Sequence, residues 1–304
     1  MEGMHRRTLL FALAPQDGVL FKAGTAQVRV DAQVTNGGKA ILGLTKDDFA
    51  VLDERERVTL EYCGQEDEPL SVLMLLDVSG SMKRYVEQMS KTAQRALGFL
   101  STKDRAGVMI FSKDTALTLP LTGSLKEAAR EIELSVAEHK LPSGTAINAA
   151  LLDAATALRR DREEQKRQSR YAILILTDNG SLNYRVPDEQ VMRALFGADA
   201  VLNAIVVGKD RGRKVRHSNN EDFTYPDVYK LAEESGGEAA GVERAGEAFP
   251  EMMRALRQRY ALSYRLPERA EAGTFRRLRV ELSAAARRKY PKAAIRARAG
   301  YYVS

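Results

Sequence analysis

The sequence predicts a doubly wound α/β domain with a mostly parallel sheet, inserted into a smaller antiparallel β domain that is built from both chain ends. Three observations lead to this prediction. Segments that alternate between apolar and polar residues lie near both termini, short and wholly apolar runs lie between them, and apolar residues at helical spacing separate those runs. Alternation is typical of half-buried antiparallel strands, and unbroken apolar runs are typical of strands that are covered on both faces.

The N-terminal part of the predicted β domain begins with AQVRVDAQV at residues 26–34, which alternates without interruption. The residues Asn36, Gly37 and Gly38 follow, and these residue types tolerate the positive φ angles of a tight turn. Two further extended segments are predicted at residues 48–53 and 57–63. This end of the chain therefore contributes several short antiparallel strands.

The C-terminal end has the same alternating pattern at residues 260–266, 278–282 and 294–299. Neither end has enough strands for an independently stable sheet, so we expect the two ends to assemble together. We assign residues 21–68 and 260–304 to the β domain, and residues 69–259 to the inserted α/β domain.

The inserted domain is predicted from strands that alternate with helices. The apolar runs that predict buried strands occupy residues 71–77, 107–111, 171–178 and 201–208. Apolar residues at helical spacing predict helices over residues 82–100, 147–158 and 246–260. Strands and helices in this alternation form a doubly wound sheet whose functional crevice lies beyond the carboxyl ends of the strands.

Composition excludes several classes of protein. The chain has 304 residues, 44% of them hydrophobic and 29% charged, which is typical of a globular protein. No apolar run approaches the roughly 20 residues that a membrane-spanning helix needs. The net charge of +6 comes from interspersed charges and not from a block of one sign, so we expect no nucleic-acid partner. The single cysteine, Cys63, excludes an intramolecular disulfide.

Oxygen-bearing side chains follow the predicted strands at the edge where a crevice is expected. In LMLLDVSGSM, Asp77 ends an apolar strand, and Ser79 and Ser81 lie in the loop after it. Asp178 ends another such strand, and Thr145 precedes a helix. An all-oxygen set suits a hard divalent cation such as Mg²⁺, with Mn²⁺ or Ca²⁺ as alternatives, and does not suit zinc. Such a cation keeps coordinated waters, so an incoming carboxylate can replace one of them.

The ordered set Asp-x-Ser-x-Ser, then Thr, then Asp resembles the metal-ion-dependent adhesion site of von Willebrand factor type A domains. The resemblance implies that Ser79 and Ser81 bind the metal directly, and that Thr145 binds it directly or through water. It implies that Asp77 and Asp178 act through coordinated water and hydrogen bonds to the ligands.

The segments outside the inserted domain, from about residue 21, resemble a bacterial family that places flanking strands around such a domain. Its members are usually exported, so we expect an extracytoplasmic location, periplasmic or secreted, with a cytoplasmic location as the alternative. We interpret residues 1–20 as an export segment or a disordered N-terminus. The chain departs from the family at Asp178-Asn179-Gly180, where Asp-Gly-x-Asp is usual.

These patterns predict a protein-binding module of the adhesion type, in which a partner protein donates an Asp or Glu side chain to the metal. The identity of the partner is not predicted. Two alternatives stay open: a structural or assembly protein with a vestigial metal site, and a metal-dependent phosphoryl hydrolase.

An enzyme is not expected, because the motifs of several enzyme classes are incomplete. Ser79 stands where a haloacid-dehalogenase phosphatase needs its second aspartate, and Asp77 stands at the first glycine of a Gly-x-Ser-x-Gly elbow. The histidines His5, His139 and His217 lack the spacing of metal ligands.

A basic segment at residues 209–217 leaves the strand that ends at residue 208, and is expected at the same edge as the metal. One interpretation is a solvated loop. The other is that Arg211, Arg213 and Lys214 form a rim that attracts acidic partners toward the metal.

Overall fold

The computed structural model describes residues 27–65, 68–137, 144–165, 169–180, 183–184, 186–208, 223–224 and 227–303. The predicted export segment, residues 1–20, lies outside the described residues. The strands are β1 Gln27–Asn36, β2 Lys39–Ala40, β3 Phe49–Asp53, β4 Glu56–Val58, β5 Leu60–Gly64, β6 Leu70–Asp77, β7 Arg105–Phe111, β8 Thr115–Thr122, β9 Arg170–Thr177, β10 Asn183–Tyr184, β11 Ala200–Val206, β12 Phe223–Thr224, β13 Ala239–Gly241, β14 Tyr260–Arg265, β15 Phe275–Leu282, β16 Ala293–Ala297 and β17 Gly300–Tyr302. The helices are α1 Lys83–Ser90, α2 Ala93–Leu97, α3 Leu125–Ala137, α4 Ile147–Gln165, α5 Asp188–Ala198, α6 Val228–Glu234, α7 Ala245–Arg257 and α8 Ala284–Lys289, with a 3-10 turn at Lys46–Asp48.

The central sheet has the strand order β13-β11-β9-β6-β7-β8. Its neighbouring strands are parallel, except that β8 is antiparallel to β7. Every residue of β6 and of β9 is buried, because apolar layers of helices cover both faces of the sheet. The predicted α/β fold is confirmed, and the unbroken apolar runs are the strands at its centre.

The helix predicted over residues 82–100 is wrong in one respect, because the structure divides it into α1 and α2. At the break, the hydroxyl of Thr92 donates to the carbonyl of Met89 at 3.1 Å, and that of Ser90 donates to the carbonyl of Glu87 at 3.2 Å. Such bonds between hydroxyls and nearby carbonyls compete with the regular helical pattern.

The helix predicted over residues 246–260 ends earlier, at Arg257, and Tyr260 opens β14. Among the helices of the described residues, none combines the length and the apolar character needed to cross a bilayer.

Two antiparallel sheets form the β domain. One has the order β16-β1-β14-β5 with β2 beside β1, and the other has the order β17-β15-β3-β4. Both contain strands from the two ends of the chain, and their inward residues share one apolar core. Gly37 and Gly38 adopt φ angles of 58° and 81° between β1 and β2, so the predicted turn is present. The fold class predicted for the chain ends is therefore confirmed.

A buried cluster of charged residues joins the two domains where the chain passes between them. The Arg170 guanidinium, at the start of β9, donates to the carbonyls of Leu256, Arg257 and Arg259 at 3.1–3.2 Å. The Asp31 carboxylate of β1 accepts from Arg259 and lies 3.5 Å from the Arg170 guanidinium. Burial lowers the pKa of Arg170, while the charge of Asp31 opposes this effect. The end of α7 is thus fastened both to the central sheet and to the β domain.

Candidate metal centre

Asp77 lies at the carboxyl end of β6, in the middle of the sheet, and its side chain is wholly buried. One carboxylate oxygen, Oδ1, accepts from the amide of Ser79 at 3.0 Å, and the other, Oδ2, accepts from the hydroxyl of Thr177 at 3.0 Å. Burial raises the pKa of Asp77 to about 6, and the charge of Asp178 raises it as well, although the hydrogen bonds from Ser79 and Thr177 oppose both effects. The fold therefore holds a carboxylate where its negative charge is poorly compensated.

The loop after β6 presents two hydroxyls beside this carboxylate. The amide of Met82 donates to the carbonyl of Ser79 at 2.9 Å, which closes a turn, and the buried Met82 side chain anchors the loop to the core. The Ser79 and Ser81 hydroxyl oxygens are 3.4 Å apart. The Ser81 hydroxyl donates to Oδ2 of Asp178 at 2.7 Å. Four of the five predicted site residues, Asp77, Ser79, Ser81 and Asp178, thus form one hydrogen-bonded group.

Asp178 follows β9, which is the direct neighbour of β6 in the sheet. Leu76 of β6 pairs with Leu176 of β9, so the residues that end these two strands lie side by side. The amide of Gly180 donates to Oδ1 of Asp178 at 3.0 Å and fixes the orientation of the carboxylate. The parallel register is therefore what brings together two carboxylates that are 101 positions apart in the sequence.

Thr145 lies at the same edge, just before α4. The amide of the next residue, Ala146, donates to the carbonyl of Ser112 at 2.7 Å. Ser112 follows β7, and the last carbonyl of that strand, on Phe111, accepts from the amide of Val78 at 2.9 Å. The loop that carries Thr145 is thus connected, through the end of β7, to the loop that carries Ser79 and Ser81.

Gly144 allows the loop that carries Thr145 to lie close to the residues that follow β7. Its φ angle is 128°, in a region that side chains rarely adopt, and a Cβ atom there would lie 3.3 Å from Cβ of Lys113.

The sequence did not predict the contributions of two residues of the site, Thr177 and Asn179. The hydroxyl of Thr177 donates to Asp77 and accepts from the amide of Asn179 at 3.1 Å, so it fixes both strand ends. The only sequence signal for it is a hydroxyl residue that directly precedes Asp178 in an apolar strand.

Asn179 has a φ angle of 55°, and among non-glycine residues Asn is one of those that adopt this left-handed region most readily. The departure Asp178-Asn179-Gly180 from the family pattern is therefore compatible with a tight loop. Within the described residues, Oδ1 of Asn179 is buried and has no hydrogen-bond partner.

The charges around the two carboxylates are unbalanced. Across the described ranges, no lysine or arginine forms an ion pair with Asp77 or Asp178. No group of three or more His, Cys, Asp or Glu side chains that could hold a metal is found in the same ranges. The donors gathered here are instead two carboxylates and the hydroxyls, which are oxygen ligands suited to a hard divalent cation and unsuited to zinc. The residues present thus fit the cation that the sequence resemblance implies.

The raised pKa of Asp77 predicts that ionisation of this side chain lowers the free energy of unfolding as the pH rises. Its folded value of about 6 exceeds its usual value of 3.8, so the folded state favours the protonated form. The stabilising effect of protonation is complete below pH 3.8 and is lost as the pH rises through about 6. We expect Asp77→Asn, studied with a chelator present, to raise the free energy of unfolding at pH 7 by on the order of 2 kcal/mol.

Urea unfolding of both proteins at pH 4 and pH 7 measures this effect. The difference between wild type and Asp77→Asn should be near zero at pH 4 and large at pH 7. Equal stability of the two proteins at pH 7 would contradict a poorly compensated charge on Asp77.

The predicted rim residues Arg211, Arg213 and Lys214 lie outside the described residues, as do His5, His139 and His217. The steering role of the rim therefore stays a prediction.

Residues 72–181 match the family model of the von Willebrand factor type A domain. This range contains Asp77, Ser79, Ser81, Thr145 and Asp178. No curated protein matches the chain.

Three of the solved structures that are similar to the chain illustrate the extent of the likeness. An aerotolerance-related membrane protein from Bacteroides fragilis NCTC 9343 is 18% identical, with a TM-score of 0.46 over 62% of this chain and 98% of that one. The conserved hypothetical protein BatB from Bacteroides thetaiotaomicron is 18% identical, with a TM-score of 0.48 over 62% and 97%. A von Willebrand factor type A protein from Catenulispora acidiphila is 11% identical, with a TM-score of 0.48 over 90% of this chain and 73% of that one.

Proposed function

From the premise that residues 72–181 form a von Willebrand factor type A domain, we propose that the chain is a metal-dependent protein-binding module of the adhesion type. Domains of this family are in general interaction modules. The finer part of the proposal is that Asp77, Ser79, Ser81, Thr145 and Asp178 hold a Mg²⁺ ion, for which Mn²⁺ or Ca²⁺ could substitute. A partner protein then supplies a Glu or Asp side chain to the ion.

The observation that carries the proposal is the pair of neighbouring carboxylates, Asp77 and Asp178, for which the described residues supply hydroxyls and amides but no basic side chain. The two negative charges lie at the same edge of the sheet and repel each other. A divalent cation between them would remove this repulsion. Hydroxyl ligands add coordination without further negative charge. If Asp77 and Asp178 act through coordinated water, as the resemblance implies, the ion would have neutral hydroxyls as direct ligands and would still accept a carboxylate from a partner.

Some residues of the site orient the two carboxylates, and others are accessible to the metal and the partner. Thr177 and the amide of Ser79 hold the Asp77 carboxylate in place, and the amide of Gly180 holds that of Asp178. The Ser81 hydroxyl is exposed at the edge, where a partner has access to it. When bound, the ion would supply the positive charge and the vacant position that a partner carboxylate needs.

We propose binding and not catalysis, because the enzyme motifs considered in the sequence are incomplete and Asp77 is not accessible as a general base. His139 and His217 lie outside the described residues, and Asp77 is held by two hydrogen bonds and wholly buried. We also propose an extracytoplasmic location, periplasmic or secreted, as for the family with flanking strands that the chain resembles.

Affinity capture from a native extract tests this function. Wild-type protein and Asp77→Asn protein are immobilised side by side, each with Mg²⁺ or with a chelator. We expect proteins that are retained by the wild type in Mg²⁺ and are absent from the other three samples. Identical capture in all four samples would contradict a metal-dependent module and would favour the structural alternative. Hydrolysis of p-nitrophenyl phosphate that requires Mg²⁺ and Asp77 would favour the hydrolase.

A further inference from the structure

A cleft of about 440 Å³ lies between the two domains. It is lined by the ends of α4 and α5 on one side and by β1 and β17 on the other. These helix ends precede the first residues of β9 and β11, so the cleft is at the opposite edge of the central sheet from Asp77 and Asp178. Its volume is within the roughly 300–1,000 Å³ of ligand pockets, which often form at domain interfaces.

One wall of this interdomain cleft is aromatic. Phe196 of α5 and Tyr302 of β17 line it, with their ring centroids 6.4 Å apart. Phe275 packs against both, at 5.8 Å from Phe196 and 5.2 Å from Tyr302. Phe275 is nevertheless 40% exposed, which is unusual for a large apolar side chain in a cluster of this kind. Such a wall favours contact with a further aromatic or aliphatic group.

The other feature of the cleft is an excess of positive charge. Four arginines line it, against two acidic residues, Glu163 and Asp199, and one of the four, Arg29, is already paired with Glu68 at 2.9 Å. The Asp199 carboxylate is shared, because it lies 2.5 Å from Arg298 and 3.5 Å from Arg162. Arg159 is 59% exposed, and its ion pair with Glu163 is as long as 3.9 Å. The guanidinium groups at the mouth of the cleft are therefore only partly neutralised and would attract carboxylates.

We propose that the interdomain cleft binds an acidic peptide segment of a partner protein. An aromatic side chain of the peptide packs against Phe196 and Tyr302, whose positions Phe275 supports, and flanking carboxylates pair with Arg159 and Arg162. This contact is independent of the metal, since it lies at the opposite edge of the sheet. It adds a second surface to the proposed module.

A labelled peptide tests the proposal directly. The probe is fluorescein-labelled Glu-Glu-Phe-Glu-Tyr-Glu, and its fluorescence anisotropy is measured with the full chain at low salt and with a chelator present. We expect saturable binding that Arg159→Glu with Arg162→Glu weakens at least about tenfold. The Arg159 and Arg162 side chains are 59% and 42% exposed, so the double variant should keep its fold, which circular dichroism verifies.

A matched control comes from α8, where Arg287 and Arg288 are exposed and do not line the cleft. Reversing both to Glu changes the net charge by the same amount and should leave peptide binding within about twofold of wild type. Phe275→Ser should weaken binding without any change in charge.

The proposal would be overturned by absence of saturable binding, by an equal loss in the α8 control, or by equal binding of a peptide with Lys in place of Glu. Stronger binding of single-stranded RNA than of the acidic peptide would also overturn it. Because the peptide is measured with a chelator present, its binding does not depend on the metal site. Failure of the cleft proposal would therefore leave the metal-site proposal standing, and the reverse also holds.

Discussion

Replacement of Asp77 by alanine is expected to weaken Mg²⁺ binding by about 10- to 100-fold and to abolish metal-dependent capture of a partner. The side chain accepts one hydrogen bond from the Ser79 loop and one from Thr177 of β9, so it connects two of the elements that carry the proposed ligands. Its loss removes both a negative charge and the fixed orientation of those loops. Isothermal titration calorimetry with Mg²⁺ measures the effect.

The matched control for this variant is Asp153→Asn, which removes an exposed carboxylate of α4 away from the site. Its Mg²⁺ affinity should equal that of the wild type. Because Asp77 buries a poorly compensated charge, Asp77→Ala should also fold, and circular dichroism should show unchanged secondary structure. Retention of wild-type Mg²⁺ affinity by Asp77→Ala would contradict the assignment of the site.

Asp31→Ala is expected to destabilise the fold by about 3–5 kcal/mol. Asp31 is the carboxylate shared by Arg170 and Arg259, whose side chains are each only 2% exposed. Without the Asp31 carboxylate, the positive charges of two buried guanidinium groups would lie close together with less negative charge nearby. Urea unfolding at pH 7 measures the loss of free energy.

The exposed ion pair of Arg244 and Glu247 provides the comparison for Asp31. Both side chains are about 70% exposed although their charged atoms are 2.7 Å apart. Glu247→Ala should therefore change the free energy of unfolding by less than about 1 kcal/mol. If the two substitutions had similar effects, the buried cluster would not be what fastens the domains together.

The sequence predicted the centre of the α/β domain well, because strands covered on both faces require unbroken apolar runs. The run predicted at residues 71–77 is β6, Leu70–Asp77, and that at residues 171–178 is β9, Arg170–Thr177. The edge strand β8, Thr115–Thr122, was not predicted. Leu117, Leu119 and Leu121 alternate with polar residues there, but the strand is only partly buried and contains Pro120, a residue that weakens the indication of a strand.

The break between α1 and α2 could not be predicted from apolar spacing. Met89 and Ala93 continue the helical apolar pattern across it, and both are buried. The interruption comes from the hydroxyls of Ser90 and Thr92, which bond to carbonyls three residues earlier. Apolar periodicity reports which side of a segment is buried, and does not report such local competition for backbone groups.

For the site, chain order and strand ends were enough to predict that the oxygen-bearing residues share one edge. The contribution of Thr177 was missed, because its role depends on the register between β6 and β9. The buried charged cluster around Arg170 was also missed. Its members come from distant parts of the chain and carry no shared sequence pattern.

The most direct test of the account is Mn²⁺ binding followed by electron paramagnetic resonance, in wild type and in Ser81→Ala, Thr145→Ala and Asp178→Ala. These residues lie in three loops that are far apart in the sequence and that the sheet brings to one edge. We predict a single tight Mn²⁺ for the wild type and affinity about 10- to 100-fold weaker in each variant. Wild-type affinity in Thr145→Ala or Asp178→Ala would contradict the claim that these loops share one ion.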